Sequence, residues 1–175
     1  MKKLFIIVSV AAYFSCNTNQ KTIATDPDPH IDTLVGLPYA AQYSSNFTIG
    51  SQASVLTVLK GYKAWETGDI NAFKSTLGDS MTAVFDDGTT ISGSRDSITS
   101  FLQKAREGIS SIRINPDGWV SLHSVDKNED WVAVWLRENV VLKSGKKDSA
   151  YYEEDWRLDK NGKIVFVESQ RRMLK

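Results

Sequence analysis

The chain predicts an α+β fold in which three short helices pack on a long, curved antiparallel sheet. Apolar residues recur at helical spacing as far as Gly108, and beyond it the period falls to about two. Turn sequences then divide the second half at Pro116-Asp117-Gly118, residues 126–128, Ser144-Gly145 and Asn161-Gly162. A long sheet has to bury one face, and the upstream helices are its only cover, so the expected product is a cone.

The elements follow in order. Val55, Val58, Leu59, Tyr62 and Trp65 share one face of a helix that Ser51 caps and Gly68 ends. Asp69 caps a shorter helix with apolar positions Ile70, Phe73 and Leu77 and Gly78 as its stop. Residues 81–86 and 89–92 read as two strands joined by the two-residue turn Asp87-Gly88. Ser94 caps a third helix, apolar at Ile98, Phe101, Leu102 and Ala105, with Gly108 at its end. Strands are expected over 119–125, 130–142, 148–159 and 164–172, each antiparallel to the one before.

Before the domain, residues 1–15 run from Met-Lys-Lys through an apolar stretch to Ser15, the order of a secretory signal. The stretch is too short to span a bilayer. Cys16, the single cysteine, sits where bacterial lipoprotein signals place the cysteine that is lipidated. This resemblance implies an exported, lipid-anchored bacterial lipoprotein of the cell envelope, in the periplasm or at the outer membrane or cell surface. Tyr13 and Phe14 depart from that motif, which leaves ordinary cleavage after a nearby small residue as the alternative. Residues 16–48 read as a polar tether and 49–175 as one domain.

Composition narrows the partners. Lysine plus arginine equals aspartate plus glutamate at 21 each, so no basic excess is available for nucleic acid. No phosphate loop, nucleophile elbow or cysteine nucleophile is present, and no cofactor is expected. His30 falls in the tether, leaving His123 alone in the domain, so no two-histidine metal site can form there.

Tyr62-Lys63-Ala64-Trp65-Glu66-Thr67-Gly68-Asp69, Ala83-Val84-Phe85-Asp86-Asp87-Gly88, and Asp155-Trp156-Arg157-Leu158 followed by Asn161-Gly162-Lys163-Ile164 resemble the first helix, first strand and last hairpin of the nuclear transport factor 2-like, or SnoaL-like, superfamily. The likeness spans about residues 50–172 and is carried by shape-determining motifs, which speak to fold more than to activity. The superfamily includes isomerases, polyketide cyclases, dehydratases and oligomerisation modules.

Alternation along 148–159 puts Ala150, Tyr152, Trp156 and Leu158 on one strand face, and Glu154 falls on that apolar face. A carboxyl there pairs with a cation such as Arg137, finds water, or takes a raised pKa. The resemblance implies Asp86 and Glu154 as the catalytic pair of ketosteroid isomerase-like members, one transferring a proton and the other donating to the developing oxyanion. It also matches Gly61 to the first-helix tyrosine of those isomerases, with Tyr62 one residue on. Candidate ligand-binding residues are Tyr62, Trp65, His123, Trp135, Tyr152 and Trp156, aromatic or titratable groups suited to lining a cone. Core packing competes for each aromatic, and Trp131 and Trp135, which share a face, also suit a subunit interface. Three readings result: a binding domain for a small apolar or amphipathic molecule, an acid–base enzyme, and an interaction module that forms a homodimer.

Overall fold

Residues 38–173 are described by the computed structural model. In chain order they form β1 (Phe47–Ile49), α1 (Gln52–Thr67), α2 (Ile70–Thr76), β2 (Leu77–Val84), β3 (Thr90–Ser94), α3 (Arg95–Glu107), β4 (Ile109–Ser124), β5 (Glu129–Leu142), β6 (Lys147–Leu158) and β7 (Ile164–Met173). The leader, Cys16, His30 and most of the expected tether lie outside the described residues.

The helix starts follow their caps. The Ser51 hydroxyl accepts from the Ala53 amide at 3.0 Å, the Asp69 carboxylate from the Ala72 amide at 2.9 Å and the Ser94 hydroxyl from the Ser97 amide at 3.2 Å. Gly68 ends α1 at φ +76°, its amide returning to the Ala64 and Trp65 carbonyls. The second helix stops earlier than its sequence suggests. Leu77 is already extended and opens β2, where it is fully buried opposite Ile164. Gly78 is required by the sheet and not by a helix end, because a Cβ there would lie 2.8 Å from Val165 Cγ1.

Seven strands form one sheet in the order β1-β4-β5-β6-β7-β2-β3. It is mixed, not wholly antiparallel: β2 lies parallel to β7, with Ala83 opposite Val167. Adjacent turns announce only neighbouring pairs, and β2 reaches β7 across most of the domain, so hairpin signals could not register this contact. The expected two-residue turn at Asp87-Gly88 is a three-residue loop: the Phe85 amide bonds the Thr89 carbonyl at 2.9 Å and the Gly88 amide the Phe85 carbonyl at 2.9 Å. Gly88 takes φ +82° there, the conformation this loop type demands. Pro116-Asp117-Gly118 is no turn either. It forms a bulge inside β4, which continues back to Ile109 and pairs with β5 on both sides of the irregularity. Phe47 and Thr48, read as tether, pair with Ser124 and His123 as β1.

The core lies between the helices and the inner sheet face. Val132, Val134 and Leu136 of β5 and Trp156 and Leu158 of β6 meet Val55, Val58 and Tyr62 of α1, Phe73 of α2 and Ile98 of α3. Alternation along β5 and β6 selects these side chains, and truncating one of them to alanine costs about 2–5 kcal/mol.

Candidate functional site

A cavity of about 210 Å³ remains between the helices and the sheet. Tyr62 and Trp65, one turn apart on α1, enter from the helical side. Strand register supplies the opposite wall: Val134 lies opposite Glu154 and Leu136 opposite Tyr152, so these β6 side chains face inward with the apolar residues of β5. Glu138 continues that alternation on β5, and Asp86 reaches the cavity from the turn after β2. Phe73, Phe85, Ile98 and Leu102 make much of the remaining surface apolar.

The polar groups gather around Glu154. Tyr62 donates its hydroxyl to Glu154 Oε2 at 2.5 Å, Ser169 donates to Oε1 at 2.8 Å, and Trp156 Nε1 donates to the Tyr62 oxygen at 2.7 Å. The Tyr62 and Trp156 rings meet edge to face, centroids 5.4 Å apart. Glu154 is partly buried as a residue, but its carboxyl is enclosed beneath these donors. Burial raises its pKa above the ordinary carboxyl value, with the bonds from Tyr62, Ser169 and Trp156 opposing. Burial, and then the Glu154 charge, push the Tyr62 phenol well above its usual value. Glu138 is raised from 4.5 to about 7, by burial first and by Glu154 second, while a bond from the Trp65 indole and the Arg171 charge pull the other way. Tyr152 is raised to about 12 by burial and then Glu138.

Six of the eight catalytic and ligand candidates therefore border one cavity: Tyr62, Trp65, Asp86, Tyr152, Glu154 and Trp156. Two do not. Trp135 has the opposite parity to Val134 and Leu136, stands on the outer face and is 41% exposed. His123 lies toward the far end of β4, where its Nδ1 meets Asp130 Oδ1 at 2.8 Å beside β1. The suggested partner of Glu154, Arg137, also faces outward, its guanidinium bonded to the Tyr151 hydroxyl at 2.8 Å. Gly61 packs toward Thr76, Ile164 and Phe73, and Tyr62, one residue on, lines the cavity. Glu138 and Ser169 were not anticipated. The alternation Val132, Val134, Leu136, Glu138 was available to find the first, whereas Ser169 needs the register of β7 against β6, which shifts near Leu158. Among the described residues no group of three or more His, Cys, Asp or Glu side chains is arranged to hold a metal ion.

No protein-family model and no curated protein sequence matches the chain. Solved structures do. A nuclear transport factor 2-like protein of unknown function from Burkholderia pseudomallei is similar at 19% identity and a TM-score of 0.57, over 70% of this chain and 92% of that one. A candidate SnoaL-like polyketide cyclase from Shewanella denitrificans gives 14% identity and 0.58, over 70% of this chain and 92% of its own. An epoxide hydrolase of M. tuberculosis gives 10% identity and 0.58, over 69% of this chain and 83% of its own. At such identities likeness speaks to architecture, and the chain has the nuclear transport factor 2-like fold that these SnoaL-like and ketosteroid isomerase-like structures share.

Proposed function

We propose that this is an exported, lipid-anchored domain of the cell envelope that binds a small, mainly apolar or amphipathic molecule. One observation carries the binding reading: an aromatic and aliphatic cavity of about 210 Å³ with its polar groups converging on Glu138 and Glu154. An engineered apolar cavity of about 150 Å³ accepts benzene, so a single substituted ring fits. A module that used the cone only as core would fill this space, and the open volume between Trp65 and Trp156 favours an occupant. The test is tryptophan emission and thermal melting with indole, p-cresol and cyclohexanone. Each ring that binds shifts both readouts, and Ala83→Phe, which fills the cavity from β2, abolishes the response. Silence from all of these rings and from a ring bearing an ammonium group, at millimolar concentration, refutes the reading.

Acid–base catalysis by Asp86 and Glu154 is the second reading, favoured because both carboxyls reach one cavity and Tyr62 is bonded to Glu154. Asp86 would take a proton from a carbon beside a carbonyl and return it to a different carbon, while Tyr62, backed by Glu154, hydrogen-bonds the oxygen as it gains charge. Its raised pKa favours protonated Glu154, which can donate to Tyr62 and leave the Tyr62 proton to point into the cavity. Conversion of 3-cyclohexenone to its conjugated isomer, followed by absorbance, tests this: activity lost in Asp86→Asn supports it, and a rate no faster than buffer excludes this proton shift.

A further inference from the structure

Six aromatic side chains and three carboxyls, those of Asp86, Glu138 and Glu154, border the cavity, and among the described residues no lysine, arginine or histidine does. Enclosure makes this composition informative. On a surface, water would solvate the carboxylates; here the Glu138 and Glu154 carboxyls are buried, and a charge on Glu154 repels one on Glu138, while Asp86 stands exposed where its turn meets the cavity. Arg171, the cation whose field reaches Glu138 and Asp86, does not border the cavity: its guanidinium bonds Asp148 at 2.6 Å and lies 5.9 Å from the Tyr152 ring centroid. Aromatic faces attract a cation through their quadrupole, most strongly where water is excluded.

We propose that the cavity selects a small organic ammonium ion, carried on a single ring, whose charge lies among Asp86, Glu138 and Glu154 and whose apolar body lies against Tyr62, Trp65 and Trp156. The proposal rests on the reading that the cavity binds a small molecule, and it names the class. A cation there relieves both desolvation and carboxylate repulsion, whereas a neutral occupant leaves the carboxyls to be neutralised by protons.

Proton linkage therefore differs in sign between the two kinds of ligand. Glu138 faces Glu154, Tyr152 and Asp148 from β6, Arg171 from β7 and Trp65 from α1, and Asp86 faces Tyr152 and Arg171 from its turn. An ammonium ion arriving among these groups expels a proton from Glu138, which titrates at about 7. A neutral hydrogen-bond acceptor would instead draw a proton in.

Benzylammonium and benzyl alcohol, alike in size and ring, provide the test by calorimetry on the intact protein in buffers of different ionisation enthalpy. The expected result is that benzylammonium binds at least about tenfold more tightly than the alcohol at about pH 8, weakens toward about pH 6 and releases protons near neutrality. Glu138→Gln, with its fold checked by far-UV spectrum, should remove most of that pH dependence. If this variant does not fold, proton release by the unaltered protein still decides. Equal affinities, or proton uptake with benzylammonium, overturn the proposal while leaving a site for neutral molecules. Binding of neither probe overturns it together with the reading on which it rests.

Discussion

Glu138→Gln removes a titrating carboxyl from the cavity wall but keeps its shape and an oxygen that can accept from the Trp65 indole. In the unfolded chain this carboxyl titrates near 4.5; in the folded protein it titrates at about 7. The folded state therefore binds more protons between those values, and stability falls as pH rises through them. At about 1.36 kcal/mol per pH unit, the upper bound of the loss is about 3 kcal/mol, reduced in practice because part of the carboxyl still meets water. The variant should match the unaltered protein at about pH 5 and exceed it by about 1–3 kcal/mol at about pH 8. Urea denaturation at several pH values measures both, and differencing the two profiles cancels every other titrating group. Parallel profiles, or a variant less stable throughout, would refute the claim that Glu138 holds its proton in the fold.

Tyr62, Gly50 and Cys16 carry three further predictions. Tyr62→Phe removes the hydroxyl that links Trp156 Nε1 to Glu154, and leaving these groups short of a partner should cost about 1–3 kcal/mol in chemical denaturation. Gly50→Ala places a Cβ 2.4 Å from Ser121 Oγ and 2.9 Å from the Leu122 backbone; a loss of about 1–3 kcal/mol and faster hydrogen exchange in β1 are expected, with unchanged exchange counting against tight docking of that strand. Cys16→Ser should block fatty-acid labelling and move the protein from the membrane fraction to the soluble one, whereas continued labelling would place the anchor on another residue.

Local signals carried much of the architecture. Ser51, Asp69 and Ser94 marked three helix starts, and Gly68 marked an end, because caps satisfy backbone groups within a few residues of themselves. Signals that depend on distant chain were opaque. Pro116-Asp117-Gly118 reads as a turn in isolation, and only the flanking pairs with β5 make it a bulge. Leu77 fits a helical stripe until Ile164 offers it a parallel partner. The site shows the same division. Period-two alternation put Tyr152, Glu154 and Trp156 on one face and holds in the sheet, yet it could not say that Trp135 belongs to the opposite face from the cavity until β5 was registered against β6. Gly61 faces Thr76 and Phe73 while Tyr62 enters the cavity, a difference of one helical residue that only helix packing makes visible.

Carboxyl-resolved NMR titration of the glutamate-labelled protein, with and without benzylammonium, tests the account most directly. The account predicts a Glu138 midpoint near 7, a raised Glu154, and movement of both when the probe enters. Two glutamates that titrate as ordinary carboxyls near 4.5 and ignore the probe would contradict it.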